Sequence, residues 1–210
     1  MSQLQGRHDL VMVGARIADA LRYAADAHRG QNRKRTTTPY IAHPLAVSAL
    51  VLEYGGDEDE AVAALLHDVA EDADNGAAHL EEIGELFGPR VQRIVALCSD
   101  TIVKPKPDWA VRKASYITRV REHVTAPDVD VGYLRVSAAD KLHNARSILA
   151  DHGRVGSEVF DRFSADMRST LGYYRDLADA FARYRGDPGM ERLADDLDVV
   201  VQQLLTVAVP

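Results

Sequence analysis

A lone cysteine, Cys98, means that no intramolecular disulfide can form, and a reducing cytoplasm is the expected home. Long apolar runs are missing as well. Nothing approaches the roughly 18 consecutive apolar residues of a membrane span. Met1 to Arg22 scatters Arg and Asp along its length, so it is not expected to be a signal peptide. Positive charge is in deficit, 25 Lys and Arg against 32 Asp and Glu. The resulting net charge of −7 argues against a nucleic-acid polymer or an anionic membrane as partner, since either needs a basic face. Strand patterning, internal repeats and low-complexity segments are absent too. What is present is an ordinary soluble composition over 210 residues, enough for one domain with a full-sized core.

Helical periodicity runs from end to end and predicts an all-α bundle of about nine to ten helices. The expected spans are Asp9 to His28, Ile41 to Glu53, a central helix from Gly56-Asp57 to Asp72, Leu80 to Phe87 and Pro89 to Asp100. Further on come Ala110 to His123, Val131 to Asp151, Ser157 to Arg185 and Met190 to Val207. Gly30 to Tyr40 reads as a basic, threonine-rich loop, and Lys104-Pro105-Lys106-Pro107 as a stiff connector. The expected organisation is a single domain over residues 1–210, with the last helix (about 190–207) appended. Its apolar stripe, Leu193, Leu197, Val200, Val201, Leu204 and Leu205, is expected to dock on its own core.

The chain's chemistry centres on Leu65-Leu66-His67-Asp68-Val69-Ala70-Glu71-Asp72. Apolar periodicity says that this stretch is buried, yet it carries an imidazole and three carboxylates, which are rarely buried unless paired or bound to a metal. On a continuous helix Glu71 stacks a turn above His67 and Asp72 above Asp68, which predicts four ionisable groups around one cation. Two other segments put polar groups where core residues belong: His43 at a helix start, and Asp140 in Ser137-Ala138-Ala139-Asp140-Lys141-Leu142-His143-Asn144. The set His43, His67, Asp68 and Asp140 mixes nitrogen and oxygen donors, which suits Mn²⁺, Fe²⁺ or Zn²⁺ better than Mg²⁺ or Ca²⁺. Positions left open on such an ion admit water and substrate, as hydrolysis requires. His28, His79, His123, His143 and His152 read as non-ligands, with His143 expected to pack or to contact a ligand from behind. Cys98 reads as a small core residue.

The order His43, His67-Asp68, Asp140 resembles that of the HD metal-dependent phosphohydrolase superfamily. Ala27-His28-Arg29-Gly30-Gln31-Asn32-Arg33-Lys34 followed by Pro39-Tyr40-Ile41-Ala42-His43-Pro44 is similar to the opening motif of RelA/SpoT-type hydrolase domains. His67-Asp68-Val69-Ala70-Glu71-Asp72 resembles their HDxxED motif, and Ala139-Asp140-Lys141-Leu142-His143-Asn144 their ADxxxN motif. The likeness covers about Ala24 to Phe181. With no synthetase or regulatory domain expected, the chain looks like the small, hydrolase-only alarmone enzymes.

The resemblance implies that His43, His67, Asp68 and Asp140 bind Mn²⁺, with Fe²⁺ or Zn²⁺ as lesser candidates. It implies that Glu71 and Asp72 position and activate the attacking water, that Arg33 and Lys34 lie at the nucleotide pocket, and that Asn144 contacts the ribose. The implied substrate is (p)ppGpp, cleaved at its 3′-diphosphate to GDP or GTP and pyrophosphate. From the residues themselves, an anionic nucleotide needs local cations on a −7 protein. Arg29, Arg33, Lys34 and Arg35 can supply them, Arg112 and Lys113 form a second candidate clamp, and Arg162 a weaker third.

Some stretches depart from the pattern. Arg35-Thr36-Thr37-Thr38 stands where the family often has a shorter, glycine-containing turn. Asp108-Trp109 and Tyr173-Tyr174-Arg175 match no motif of the resemblance, so a reshaped base pocket is expected. Two other readings stay open: a phosphatase for another nucleotide, such as NADPH or a nucleoside monophosphate, and a nucleotide-sensing module without turnover. Which of Glu71 and Asp72 is the base, and which oligomer forms, is open at this level.

Overall fold

Helical periodicity becomes ten α-helices and one 3₁₀ helix among the residues that the computed structural model describes, 14–207. In order they are α1 (Ala15–Ala27), α2 (Ala42–Glu53), α3 (Glu58–Leu66), α4 (Val69–Asp72), α5 (Gly76–Phe87) and α6 (Pro89–Cys98). Then come α7 (Trp109–His123), α8 (Val131–Val155), the 3₁₀ helix (Gly156–Arg162), α9 (Met167–Phe181) and α10 (Pro188–Val207). No strand forms among the described residues, and an isolated bridge between Asn32 and Pro39 pinches the basic loop shut. The expected all-α class is therefore what the chain builds. No described helix is long and apolar enough to cross a membrane.

Helix α8 is the axis. It is buried over most of Gly132 to Ile148, and α2, α3, α6 and α10 pack around it. Helix α3 is enclosed by α1, α2, α6 and α8, so every residue from Glu60 to Leu66 is buried. That enclosure explains its apolar composition on all sides, and its alanines let neighbouring backbones come close. Glu60, the one carboxylate inside it, is matched by buried Arg135 of α8 and by Arg90 at 2.8 Å. Arg135 also donates to Asp187 at 2.7 Å, and Asp187 Oδ1 accepts the Met190 backbone N–H at 2.8 Å, pinning the start of α10 to the axis. The α10 stripe then buries Leu193, Leu197, Val201 and Leu204, with α8 and α9 as its neighbours.

Several boundaries differ from the sequence expectation. The central run is not one helix: α3 ends at Leu66 and α4 begins at Val69, with His67-Asp68 in the bend between them. Asp68, at φ −95° and ψ −9°, stays in the right-handed region but away from the ideal helix values. The stretch from Ser157 to Arg185 is also divided. The 3₁₀ turn gives way to extended Phe163, and Asp166 starts α9 afresh by accepting the Ser169 backbone N–H at 2.7 Å. Helix α8 runs past Asp151 to Val155, where Gly156 adopts φ +62°. Helix α5 starts at Gly76 rather than Leu80. The first helix is described from Ala15, and its expected start at Asp9 lies outside the described residues.

Candidate metal centre and active site

Helix α2 places His43 in its first turn, the bend after α3 supplies His67 and Asp68, and the middle of α8 supplies Asp140. These segments meet. One donor atom each from His43, His67 and Asp140 lie within 4.8 Å of one another, all in buried residues. Asp68 Oδ2 joins them at 3.1 Å from His67 Nε2 and 3.5 Å from His43 Nε2, and accepts the Tyr40 hydroxyl at 2.5 Å.

The hydrogen bonds behind these side chains fix which nitrogen faces the centre. His67 Nδ1 lies 2.7 Å from the Ala64 carbonyl oxygen, an acceptor only, so Nδ1 carries the proton. Nε2 is left buried, without a hydrogen-bond partner among the described residues, 3.8 Å from Asp140 Oδ1 as well as close to Asp68. His43 Nδ1 lies 2.8 Å from His143 Nδ1. Burial, helped by the nearby His43 and Arg33, pushes His143 down to about 4. A neutral His143 accepts the His43 Nδ1–H, which turns the His43 Nε2 lone pair towards Asp140, 3.1 Å away. His143 thus packs behind His43, the contact that the sequence led one to expect.

Lone pairs and carboxylate oxygens therefore converge on one small volume, an arrangement that repels itself unless positive charge sits in the middle. The side chains register that demand. Burial opposes charge on His67, yet Asp68 and Asp140 outweigh it and push His67 well up. Burial likewise disfavours the Asp140 carboxylate, and the Lys141 ammonium with the two imidazoles holds it well below the usual range. Asp68 is held low against its burial by His67 and then His43. Asn144 Nδ2 donates to Asp140 Oδ1 at 2.5 Å. Two imidazole nitrogens and two carboxylates with tautomers fixed from behind fit a divalent cation.

A cavity of about 470 Å³ opens from this cluster, lined by Arg33, Lys34, Glu71, Asp72, Arg112, Lys113, Asn144 and Arg162, whereas Arg29, paired with Asp26, and Arg35 stand outside its lining. Glu71 and Asp72, expected beside the cluster, both line this cavity. Glu71 Oε1 takes Lys106 Nζ at 3.0 Å and Oε2 takes the Asp100 backbone N–H at 3.1 Å. Burial, reinforced by the Asp100 and Asp68 carboxylates, pushes Glu71 up despite Lys106 and Lys113. Asp72 is exposed and accepts from Gln31 Nε2 at 2.9 Å. Arg33 donates to Asn144 Oδ1 at 2.7 Å, and its guanidinium lies 5.9 Å from the Tyr40 ring centre. Lys34 is exposed at the rim. Arg112 and Lys113 also line the cavity, but both bind Asp100 Oδ2, Lys113 at 2.7 Å. Arg162 lines it while bonded to Asp151 at 2.7 Å. Sequence reasoning had no role for Asp100, Lys106, Trp109, Tyr173 or Tyr174. The signals available were a carboxylate at the end of the apolar α6 and aromatic residues outside any motif.

The family follows from comparison. A profile of the HD domain matches residues 20–166, and the chain belongs to that family. Among curated proteins it is 32% identical over 175 residues to the probable guanosine-3′,5′-bis(diphosphate) 3′-pyrophosphohydrolase of Synechocystis, covering 81% of this chain and 22% of that protein. It is also 32% identical over 163 residues to the bifunctional (p)ppGpp synthase/hydrolase SpoT of Escherichia coli K12, covering 78% of this chain and 21% of SpoT. The chain thus spans about a fifth of the length of these curated relatives. A solved structure of a metazoan ortholog of SpoT, described as hydrolysing ppGpp and acting in starvation responses, superposes with a TM-score of 0.67. That match has 27% identity and covers 90% of this chain and 96% of the other.

Proposed function

We propose that the chain is a divalent-cation-dependent phosphohydrolase that removes the 3′-diphosphate of (p)ppGpp as pyrophosphate, leaving GDP or GTP. The observation that carries this reading is the convergence of buried His43, His67 and Asp140 donor atoms, with Asp68 beside them, next to a cavity lined with cations. The names of the relatives supply the substrate.

His43, His67, Asp68 and Asp140 would hold the cation, with Mn²⁺ first and Fe²⁺ or Zn²⁺ behind it. A cation held by these four residues would supply an acidified water and a Lewis acid for a phosphoryl oxygen. Glu71 is the better proton acceptor, because burial and its acidic neighbours raise its proton affinity towards working pH. Lys106 and the Asp100 N–H grip both its oxygens, which fixes its direction. Asp72, steadied by Gln31, orients the same water from the exposed side. Arg33 and Lys34 have no carboxylate within ion-pair distance among the described residues, so their charge is available to substrate phosphates. Asn144, already joined to Arg33 and Asp140, reaches the sugar beside the cleaved bond.

Metal-stripped protein given Mn²⁺ and ppGpp should release pyrophosphate, and Asp140→Asn should not. Orthophosphate as product, or turnover that is indifferent to chelation, would overturn the reading. A Glu71→Gln variant should lose roughly 10²- to 10⁴-fold in kcat, the usual worth of a positioned proton acceptor.

A further inference from the structure

Resting on the nucleotide reading above, we infer that Trp109 and Tyr173 form an aromatic wall that stacks the purine ring of the substrate and decides which ring is accepted. The two residues belong to no motif and come from distant elements, the first position of α7 and the middle of α9. In the fold their ring centres stand 6.0 Å apart at 68°, both in the cavity lining. An edge-on pair leaves one ring with both faces clear of the other, which is what a stacking partner needs. Tyr174 extends the surface, with its ring centre 5.7 Å from that of Tyr173.

Polar groups on the same wall lack partners. Tyr173 is 8% exposed and Thr170 4%, and neither hydroxyl has a hydrogen-bond partner among the described residues. Leaving such a group buried and unpaired is costly, and a hydrogen-bonding ligand that enters beside Thr170 and Tyr173 in the cavity lining would relieve it. A hydroxyl both donates and accepts, which fits the mixed edge of a purine better than a phosphate, an acceptor at every oxygen.

Charge gives the substrate its direction. Lys106 is paired with Glu71, Arg112 and Lys113 with Asp100, Lys141 with Asp140 and Arg162 with Asp151. Arg33 and Lys34 are the lining cations without such a partner among the described residues. Diphosphate belongs with those two and the metal ligands, and the uncharged ring belongs on the wall whose cations are spent. Lys113 lies 5.1 Å from the Tyr173 ring centre and holds that ring in place.

Trp109 is the only tryptophan among eight tyrosines, so emission excited at the red edge, where tyrosine does not absorb, reports on the wall. Mn²⁺-loaded protein is titrated with guanosine 5′-monophosphate, pyrophosphate and ribose 5-phosphate. The first should change the emission saturably, and the two ring-free probes should not. A response to pyrophosphate or ribose 5-phosphate equal to that of the nucleotide overturns the wall. So does an unchanged emission at nucleotide concentrations that saturate the site, judged by inhibition of turnover. A selective response to purine monophosphates in protein that leaves ppGpp intact would keep the wall and remove the alarmone reading.

Kinetics give a second arm. Trp109→Leu should raise KM for ppGpp roughly tenfold, the order expected for one lost base–aromatic stack. Its kcat should stay within about twofold, as for lost uniform binding, and Trp109→Phe should recover most of the KM. A fall in kcat with KM unchanged contradicts the inference.

Discussion

At His67 a hydrogen bond to the Ala64 carbonyl decides which ring nitrogen carries the proton, and with it the chemistry of the cluster. The same logic passes one residue outward at His43, whose tautomer is set by a neutral His143. His143→Ala should therefore weaken Mn²⁺ binding by roughly 10- to 100-fold, as expected when the group behind a ligand is removed. His143→Gln, which can still accept, should recover part of that in a metal titration. The pKa of His143 also makes a stability prediction for the metal-free protein. Its folded value of about 4 lies below the ordinary 6.5, so between those values the unfolded chain binds more protons. Stability from this residue is then lost as pH falls through that window. Metal-free His143→Asn should lose less Tm than the native chain between pH 6.5 and 4, and an equal or steeper loss would contradict the assignment. The residue types of the cluster were legible in the sequence because imidazoles and acids inside apolar helices stand out. Asp100 and Lys106 were not, since their role exists only once the connector folds back over Glu71.

At the scale of the element, the interruption at His67-Asp68 separates α3 from the short α4 that carries Glu71 and Asp72. Glu71 and Asp72 line the cavity, and His67 lies in the buried cluster. The tight packing of the next helix start against α4 maintains that placement. A Cβ on Gly76 would stand 2.3 Å from the Ala70 carbonyl oxygen and 3.1 Å from Ile102 Cβ. Gly76→Ala should cost about 1–3 kcal/mol as overpacking and lower kcat by displacing the acids. Gly153 in α8 meets nothing within 4 Å. Gly153→Ala should leave activity unchanged and raise Tm slightly, because Ala is favoured over Gly in a helix. Differential scanning calorimetry of the two variants checks both. Periodicity located most helices, but it ran through Ser164-Ala165-Asp166 without seeing a cap. A capping aspartate and a core aspartate look alike until the Ser169 N–H is in place.

For the whole molecule, the all-α class was plain in the sequence because strand patterning was missing and apolar spacing was helical throughout. The cavity was not, since its walls come from the basic loop, the proline-rich connector, α7, α8 and α9, and only tertiary packing brings them together. A −7 chain that assembles acids and imidazoles at one point stores repulsion there, which a cation relieves. Folding and ion binding are then linked: Mn²⁺ at a hundred times its Kd should stabilise by about 2.7 kcal/mol. Chelation should lower Tm correspondingly, and a Tm indifferent to chelator would speak against a resident ion. Counting Mn²⁺ per chain at equilibrium, by dialysis with paramagnetic resonance of the free ion, tests the cluster most directly. The account predicts one tightly held ion on the native chain, and loss of it in His67→Ala and Asp140→Asn with helical content intact. A native chain that holds none, or an Asp140→Asn chain that binds as tightly as the native one, would contradict it.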